Sequence, residues 1–329
     1  MNTETAPKYI LPDSHNSRSI DIVCLGSFVI ERVFNLSAQI GTGQDHIDIN
    51  NITDTYGGCA TTVACIAARL GSKTSLITKT GDDKECLSAL EDLERSGVSL
   101  EHVIQYPDQP GTIIRLLTGP QGSWNAFGSV NTNLKLTIDH IPQAEYFSNV
   151  KILHIDGYSI IGKKQNYELV QETIRRALLH NCIISIDACV PASKHHTTTL
   201  VDIFSRSHII FANLEEAQMI SSKTNIDDII TSYRSFQPDF GVIKNGKHGS
   251  HIITSKAHAH IPSIRAKFRD SIGAGDAYVA AMLYSLTNKY SLMDSSLNAT
   301  ASGSLACEGH GSLSNYYTLQ DVQHKLDTL

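Results

Sequence analysis

The chain has 329 residues, 41% of them hydrophobic, which suits a globular, soluble protein built as one large α/β domain, alone or with a small appendage. Its formal net charge of -6 and pI near 6.2, without a long basic run, argue against a dedicated nucleic-acid or anionic-membrane surface and favour a small ligand. Seven scattered cysteines without a C-x-x-C pair point to reduced thiols in a cytosolic setting rather than disulfides or zinc, and no apolar stretch approaches bilayer length.

Residues 1–19 are polar, lack an apolar signal core and are predicted to form a flexible tail. Ile20-Asp21-Ile22-Val23-Cys24-Leu25, ended by Gly26-Ser27, reads as a strand buried on both faces. Residues 31–55 mix polar and β-branched side chains with no helical period, as exposed strands outside the main core do. At Tyr56-Gly57-Gly58 the chain turns into an apolar helix over 63–70, closed by Gly71. A strand at 75–78 and a helix at 84–96, stopped by Gly97, continue the alternation.

Residues 112–117 and 124–130, joined by a Gly- and Pro-containing turn, predict a hairpin that pairs with the earlier exposed strands. Short strand-like runs follow at 150–155, 183–187 and 208–211, with helical patterns at 167–179 and 214–220. This alternation predicts a parallel, doubly wound sheet undivided by any repeat or linker. In such a sheet the ligand lies beyond the carboxyl ends of the strands, where Asp156, Asp187, Asn213 and Asp270 would emerge.

Gly241-Val242-Ile243-Lys244-Asn245-Gly246-Lys247 has the spacing of a phosphate-binding P-loop, but His248 stands where Ser or Thr is required. The following Ser250-His251-Ile252-Ile253 reads as a strand rather than a helix. A hairpin turn built on Asn245-Gly246 and Gly249 is the better reading. His195-His196 and His258/His260 lack metal-ligand partners in the sequence and are taken as surface histidines.

The stretch Asp270-Ser271-Ile272-Gly273-Ala274-Gly275-Asp276 places small residues and acids where an uncharged apolar helix begins. The first helical turn leaves backbone N–H groups without partners, and small residues let an anion approach them. Gly273, Ala274 and Gly275 are therefore candidates to hold a developing phosphate charge. Asp276 reads either as a helix cap or as a base attached to that anion site. Asn213 and Glu216, one turn apart, read either as a capping box or as a pair that organises a cation.

Gly57-Gly58 before the helix ending in Leu70-Gly71, Asn213-Leu214-Glu215-Glu216, the Lys244-Asn245-Gly246 to Gly249 turn and the 270–276 stretch together resemble the ribokinase-type sugar kinases, also called the phosphofructokinase B family. The resemblance spans residues 20 to about 315. It implies a three-layer α/β/α ribokinase-like fold in one domain over 20–329, with a mostly parallel sheet and a small β lid from 31–54 and 111–131. It implies ATP-dependent phosphorylation of a hydroxyl on a sugar or sugar-like alcohol, with Asp276 as general base and the 273–275 amides as anion hole.

By the same resemblance Asn213 and Glu216 organise Mg²⁺, and the nucleotide lies over Lys244, Gly246 and Gly249, with Asn298 and Cys307 as candidate pocket residues that read equally well as helix packing. Lys244 stands where the family has Thr. On the sugar side the resemblance implies Gly57, Gly58, Glu31 in place of the usual Asp, and Thr62 in place of the usual Asn. Asp270 belongs to a monovalent-cation or substrate position, or stabilises its own turn. Arg32 and Arg115 serve an anionic substituent of the substrate, or are exposed strand charges. In several members the lid forms a homodimer interface. The departures at 31 and 62 leave the sugar open. They also keep alive a nucleoside kinase and a catalytically degenerate regulatory protein as alternatives.

Overall fold

The computed structural model describes residues 6–38, 40, 46–107, 110–118, 123–129 and 136–327. In chain order its strands are β1 (Ile20–Leu25), β2 (Val29–Leu36), β3 (Ile49–Gly57), β4 (Thr74–Thr80), β5 (Val98–Ser99), β6 (Val103–Gln105), β7 (Thr112–Thr118), β8 (Ser123–Ser129), β9 (Val150–Asp156), β10 (Ile183–Asp187), β11 (Ile209–Asn213), β12 (Phe240–Lys244), β13 (Ser250–Ile253) and β14 (His258–Ile261). Its helices are α1 (Cys59–Leu70), α2 (Lys84–Arg95), α3 (Lys164–Leu178), α4 (Val190–His195), α5 (Thr197–Phe204), α6 (Leu214–Ser221), α7 (Ile226–Ser235), α8 (Ala274–Thr287), α9 (Leu292–Ala306) and α10 (Leu319–Leu326).

β1 explains the layering. Its residues alternate, Ile22 and Cys24 packing into one apolar cluster and Val23 and Leu25 into another on the opposite face. A strand that is apolar on both faces has to be covered on both, and helices cover it. The main sheet runs β14-β13-β12-β11-β10-β9-β1-β4-β5, with β6 on β4, and is parallel except where β13 and β14 turn back antiparallel at one edge. Helices α1, α8 and α9 pack on one face and α3, α5 and α7 on the other, giving the expected three-layer architecture. A second sheet, β3-β2-β7-β8, comprises the four strands expected outside the main core, and its β7–β8 hairpin pairs with β2 as anticipated.

The glycine signals work as expected at both ends of α1. Gly58 has φ 99°, and a Cβ there would stand 2.4 Å from the Ser27 carbonyl oxygen; Gly71 closes the helix in the left-handed region at φ 113°. The Asn245–Gly249 segment is the hairpin turn between β12 and β13, not a P-loop.

The expectation of a flexible tail is corrected from residue 6 onward. Tyr9 packs on Phe240 with ring centroids 5.1 Å apart, and Leu11 is buried in the core. His15 Nε2 lies 2.8 Å from the Asn181 carbonyl oxygen, and the Arg18 guanidinium donates to the carbonyls of His180 and Val150 at 2.6 and 2.5 Å. The polar residues that suggested disorder instead fasten the segment to carbonyls at strand and helix ends.

Parallel register brings four chemically distinct side chains to one end of the sheet. Asp156 of β9 pairs with Asp187 of β10, and Asn213 of β11 pairs with Lys244 of β12. Along this carboxyl edge the candidate site is built.

Candidate active site

Asp156 forms the floor. It is fully buried, and its carboxylate accepts from the Ser27 N–H and hydroxyl at 2.7 and 2.5 Å, the Ala60 N–H at 3.1 Å and the Ser159 N–H at 3.1 Å. With so many donors a buried carboxylate is well compensated, and here it clamps the end of β1 to the start of α1. Gly26 is obligatory there, since an added Cβ would fall 2.3 Å from the Asp156 carboxyl carbon.

Next to it, the Lys244 ammonium reaches past the end of β11 to Asp187, with Nζ to Oδ2 at 2.5 Å. Its Nζ also lies 3.3 Å from where a Cβ on Gly275 would stand. Burial opposes the charge on Lys244, but Asp187 and Glu216 outweigh it and hold the ammonium above its usual pKa. Sequence reasoning assigned Lys244 to the nucleotide turn; the structure also brings its side chain to the glycine signature.

Asn213 and Glu216 make a reciprocal capping box: Asn213 Oδ1 accepts from the Glu216 N–H at 2.9 Å, and Glu216 Oε2 accepts from the Asn213 N–H at 2.8 Å. Glu216 is nevertheless buried, and burial followed by the charge of Asp187 pushes its carboxyl up to about 8. A cap on the surface shows no such perturbation. Excess negative charge is concentrated here.

The signature begins at Asp270, whose two oxygens accept from the N–H groups of Ile272 at 2.7 Å and Gly311 at 2.9 Å. Those bonds hold the turn, and Gly273 then takes φ 75°, with room for no side chain because Ser312 lies 2.8 Å from an added Cβ. The chain thus enters α8 with Ala274, Gly275 and Asp276 in the first turn, where N–H groups have no helical partner. Burial first, and then Asp187, push the Asp276 carboxyl up to about 7, while Lys244 and a hydrogen bond from the Cys59 thiol pull against that rise. A carboxyl poised near neutrality beside a helix N-terminus is chemically suited to accept a proton.

Glu31 stands on β2 of the second sheet and is 1% exposed. Its carboxylate accepts from the Ser312 N–H and hydroxyl, at 3.2 and 2.8 Å, and from Arg115 Nη2 at 3.3 Å. Gly57 gives it space, since a Cβ there would lie 2.8 Å from Glu31 Oε1. Thr62 of α1 is buried, and its hydroxyl has no hydrogen-bond partner among the described residues. Of the two arginines singled out in the sequence, Arg32 pairs with Glu85 and Asp54 at the surface, whereas Arg115 is half-buried beside Glu31.

Asn298 has its amide engaged, donating to the Ser285 hydroxyl at 3.0 Å and accepting from Gln323 at 3.1 Å, so it ties α9 to α8 and α10, as the helix-packing reading expects. Gly249 has φ 87° and packs against the Ile261 carbonyl, which fixes the hairpin, while Gly246 stands open. The part of the site that sequence reasoning missed is the loop at Gly311 and Ser312, which touches both Asp270 and Glu31. Its only signal was the Gly309-His310-Gly311 pair of glycines.

The chain matches the pfkB family carbohydrate kinases over residues 19–318. It belongs to that family. Among curated relatives it is 23% identical over 322 residues to a 5-dehydro-2-deoxygluconokinase of Clostridium beijerinckii, covering 94% of this chain and 93% of the relative. It is 22% identical to a 2-dehydro-3-deoxygluconokinase of Bacillus subtilis, covering 84% and 87%. Its fold superposes at a TM-score of 0.83 on a putative ribokinase II from E. coli in complex with ATP and Mg²⁺, at 16% identity, covering 94% of this chain and all of that one. As a carbohydrate kinase of this family it carries the ribokinase fold, and no helix among the described residues is long and apolar enough to cross a membrane.

Proposed function

We propose that this pfkB-family kinase transfers the γ-phosphoryl group of ATP to a hydroxyl of a dehydro-deoxy sugar acid, with Asp276 as the general base. The observation that carries the reading is Asp276 itself, a carboxyl raised to about 7 in the first turn of α8, beside the N–H groups of 273–275. Asp276 takes the hydroxyl proton as the sugar oxygen bonds to the γ-phosphorus. The bond from phosphorus to the bridging oxygen breaks, and ADP leaves with its electron pair. The amides of Gly273, Ala274 and Gly275 offset the charge on the transferring group without reorganising.

Mg²⁺ fits the residues present. Glu216 Oε2 is engaged by its cap, but Oε1 has no hydrogen-bond partner among the described residues, and the acids around it are destabilised by one another. No group of three or more ligating side chains that could hold a metal occurs among the described residues, which suits an ion that keeps its waters and phosphate oxygens. Asn213 and Glu216 would hold it, and it would neutralise nucleotide phosphate charge. Lys244, Gly246 and Gly249 would hold the nucleotide.

The sugar acid is proposed from the two relatives' names together with Arg115, a half-buried cation on the face of the second sheet that also carries Glu31 and meets the 311–312 loop. That sheet would act as the lid, with Glu31, Gly57, Gly58 and Thr62 on the sugar side. Its outer face exposes the cross-strand pair Ile114 and Phe127, and Ile52 on β3, apolar side chains that a second copy of the chain would cover. A coupled assay with Mg-ATP against 5-dehydro-2-deoxygluconate, 2-dehydro-3-deoxygluconate, neutral hexoses and nucleosides tests the reading. Turnover confined to the acids is expected, and preference for a neutral sugar or a nucleoside would overturn the substrate class.

A further inference from the structure

The carboxyl edge of the sheet gathers Asp156, Asp187, Glu216 and Asp276 around a single ammonium, that of Lys244. The plain reading is that Lys244 neutralises Asp187. Three features do not follow from that reading. An ammonium has three N–H donors, yet Asp187 Oδ2 is its only hydrogen-bond partner among the described residues. The second oxygen of Asp187, Oδ1, is buried and has no hydrogen-bond partner among the described residues, so the pair is not a closed, fully satisfied bridge. And Nζ comes close to the glycine signature, 3.3 Å from where a Cβ on Gly275 would stand, so that a side chain at residue 275 would crowd it.

We propose that Lys244 is a catalytic cation: its ammonium, held by Asp187 beside Gly275, bonds to the phosphoryl group in flight and adds a full positive charge to the anion hole of backbone N–H groups. This rests on the reading of the chain as a phosphotransferase. Lys244 gives up no proton in the step. The hydroxyl proton goes to Asp276 and the bonding pair departs with ADP, while the ammonium exchanges part of its interaction with Asp187 for phosphoryl oxygens. Backbone amides carry partial charges, whereas an ammonium in a partly buried site is worth more per contact. Asp187 acts as its holder, keeping the long, flexible side chain at the place where charge develops.

Two measurements on the full chain decide the matter. The first is binding of ADP with aluminium fluoride and Mg²⁺, a mimic of the transferring phosphoryl group, compared with ADP and Mg²⁺ alone. The wild type is expected to bind the mimic at least about tenfold more tightly than ADP. Lys244→Met should lose most of that gain, read as the ratio of the two affinities within each protein, so that any change in ADP binding itself cancels. If the variant keeps the gain, or if the wild type shows none, the proposal fails.

The second uses turnover. Lys244→Met leaves Asp187 buried without its partner and is expected to lower both the thermal midpoint and kcat, the latter by about 10² or more. Lys244→Met combined with Asp187→Asn removes that uncompensated charge, so the midpoint should recover while kcat stays low. Recovery of kcat in the double variant would reduce Lys244 to a structural counter-ion and overturn the proposal. A wild type that turns over none of the sugar acids refutes the substrate reading, and the phosphoryl-mimic measurement still decides the role of Lys244.

Discussion

Glu31 and Ser312, 281 positions apart in the chain, are joined twice: the Glu31 carboxylate accepts from the Ser312 N–H at 3.2 Å and from its hydroxyl at 2.8 Å. The bond couples β2 of the second sheet to the loop that also donates to Asp270, so the second sheet and the signature turn are held together through one loop and two carboxylates. Glu31 is thus a fastening between the two, whatever else it does.

Glu31→Gln keeps one acceptor but turns the other end into a donor facing the Ser312 N–H. A loss of about 1–3 kcal/mol in unfolding free energy is expected from the mispaired buried group. If the carboxylate also shapes the sugar side, KM for the sugar acid rises by about tenfold or more, while KM for ATP moves by less than about threefold. Denaturant unfolding and steady-state kinetics read both, and equal changes in the two KM values would confine Glu31 to a structural role.

Thr62 gives the opposite pattern. Its hydroxyl is buried with no hydrogen-bond partner among the described residues, so Thr62→Val, which keeps the shape, should leave stability unchanged or raise it by up to about 1 kcal/mol. If the hydroxyl serves the sugar, affinity for the sugar acid falls by about five- to fiftyfold in the same variant. A variant that binds the sugar normally would remove Thr62 from the substrate side.

For Asp276 the sign of the pH effect is determined by the direction of its shift. The folded-state pKa is raised to about 7 from 3.8, so between those values the folded protein binds a proton that the unfolded chain has released. Stability from this group is full below about pH 4 and is lost as pH climbs towards 7. Activity runs the other way, since the base has to be ionised, and kcat/KM is expected to rise through a limb near pH 7. Asp276→Asn should lower kcat by at least about 10² and flatten that part of the stability profile. Thermal midpoints across pH 4–8, measured beside turnover, check both, and near-normal turnover would remove Asp276 from the mechanism.

The outer face of the second sheet carries Phe127, 58% exposed, opposite Ile114 on β7, with Ile52 farther across on β3. Phe127→Lys places a charge on the β8 edge of that face and should shift the sedimenting species from dimer to monomer at micromolar concentration. A wild type that sediments as a monomer would show that no second copy covers this face.

Much of the architecture could be anticipated from local pattern. β1, β9 and β10 are apolar on both faces, and the helices between them are punctuated by glycines whose φ values only glycine adopts comfortably. Asp156 and Asp187 were placed correctly at strand ends because a parallel sheet brings its carboxyl edge together whatever the side chains do, whereas Asp270 ends no strand and lies in the irregular segment between β14 and α8. Long-range side-chain contacts were beyond such reasoning. Nothing near Asn298 in the sequence says that its amide is taken by Ser285 and Gln323, and nothing near Lys244 says that its ammonium reaches Asp187. The Ser312 loop was overlooked for the same reason, being a short irregular segment whose role depends on Glu31 and Asp270. Composition misled at the start of the chain, where polar residues suggested a loose tail although their partners are carbonyls distant in sequence.

That opening segment sets a boundary of its own. Similarity to the family begins at residue 19, yet Tyr9, His15 and Arg18 already lie against Phe240, Asn181, His180 and Val150. Trimming the chain to the region it shares with its relatives would bare an aromatic ring and strip donors from three carbonyls. The smallest piece that resembles a kinase is therefore shorter than the smallest piece expected to fold as well as the whole.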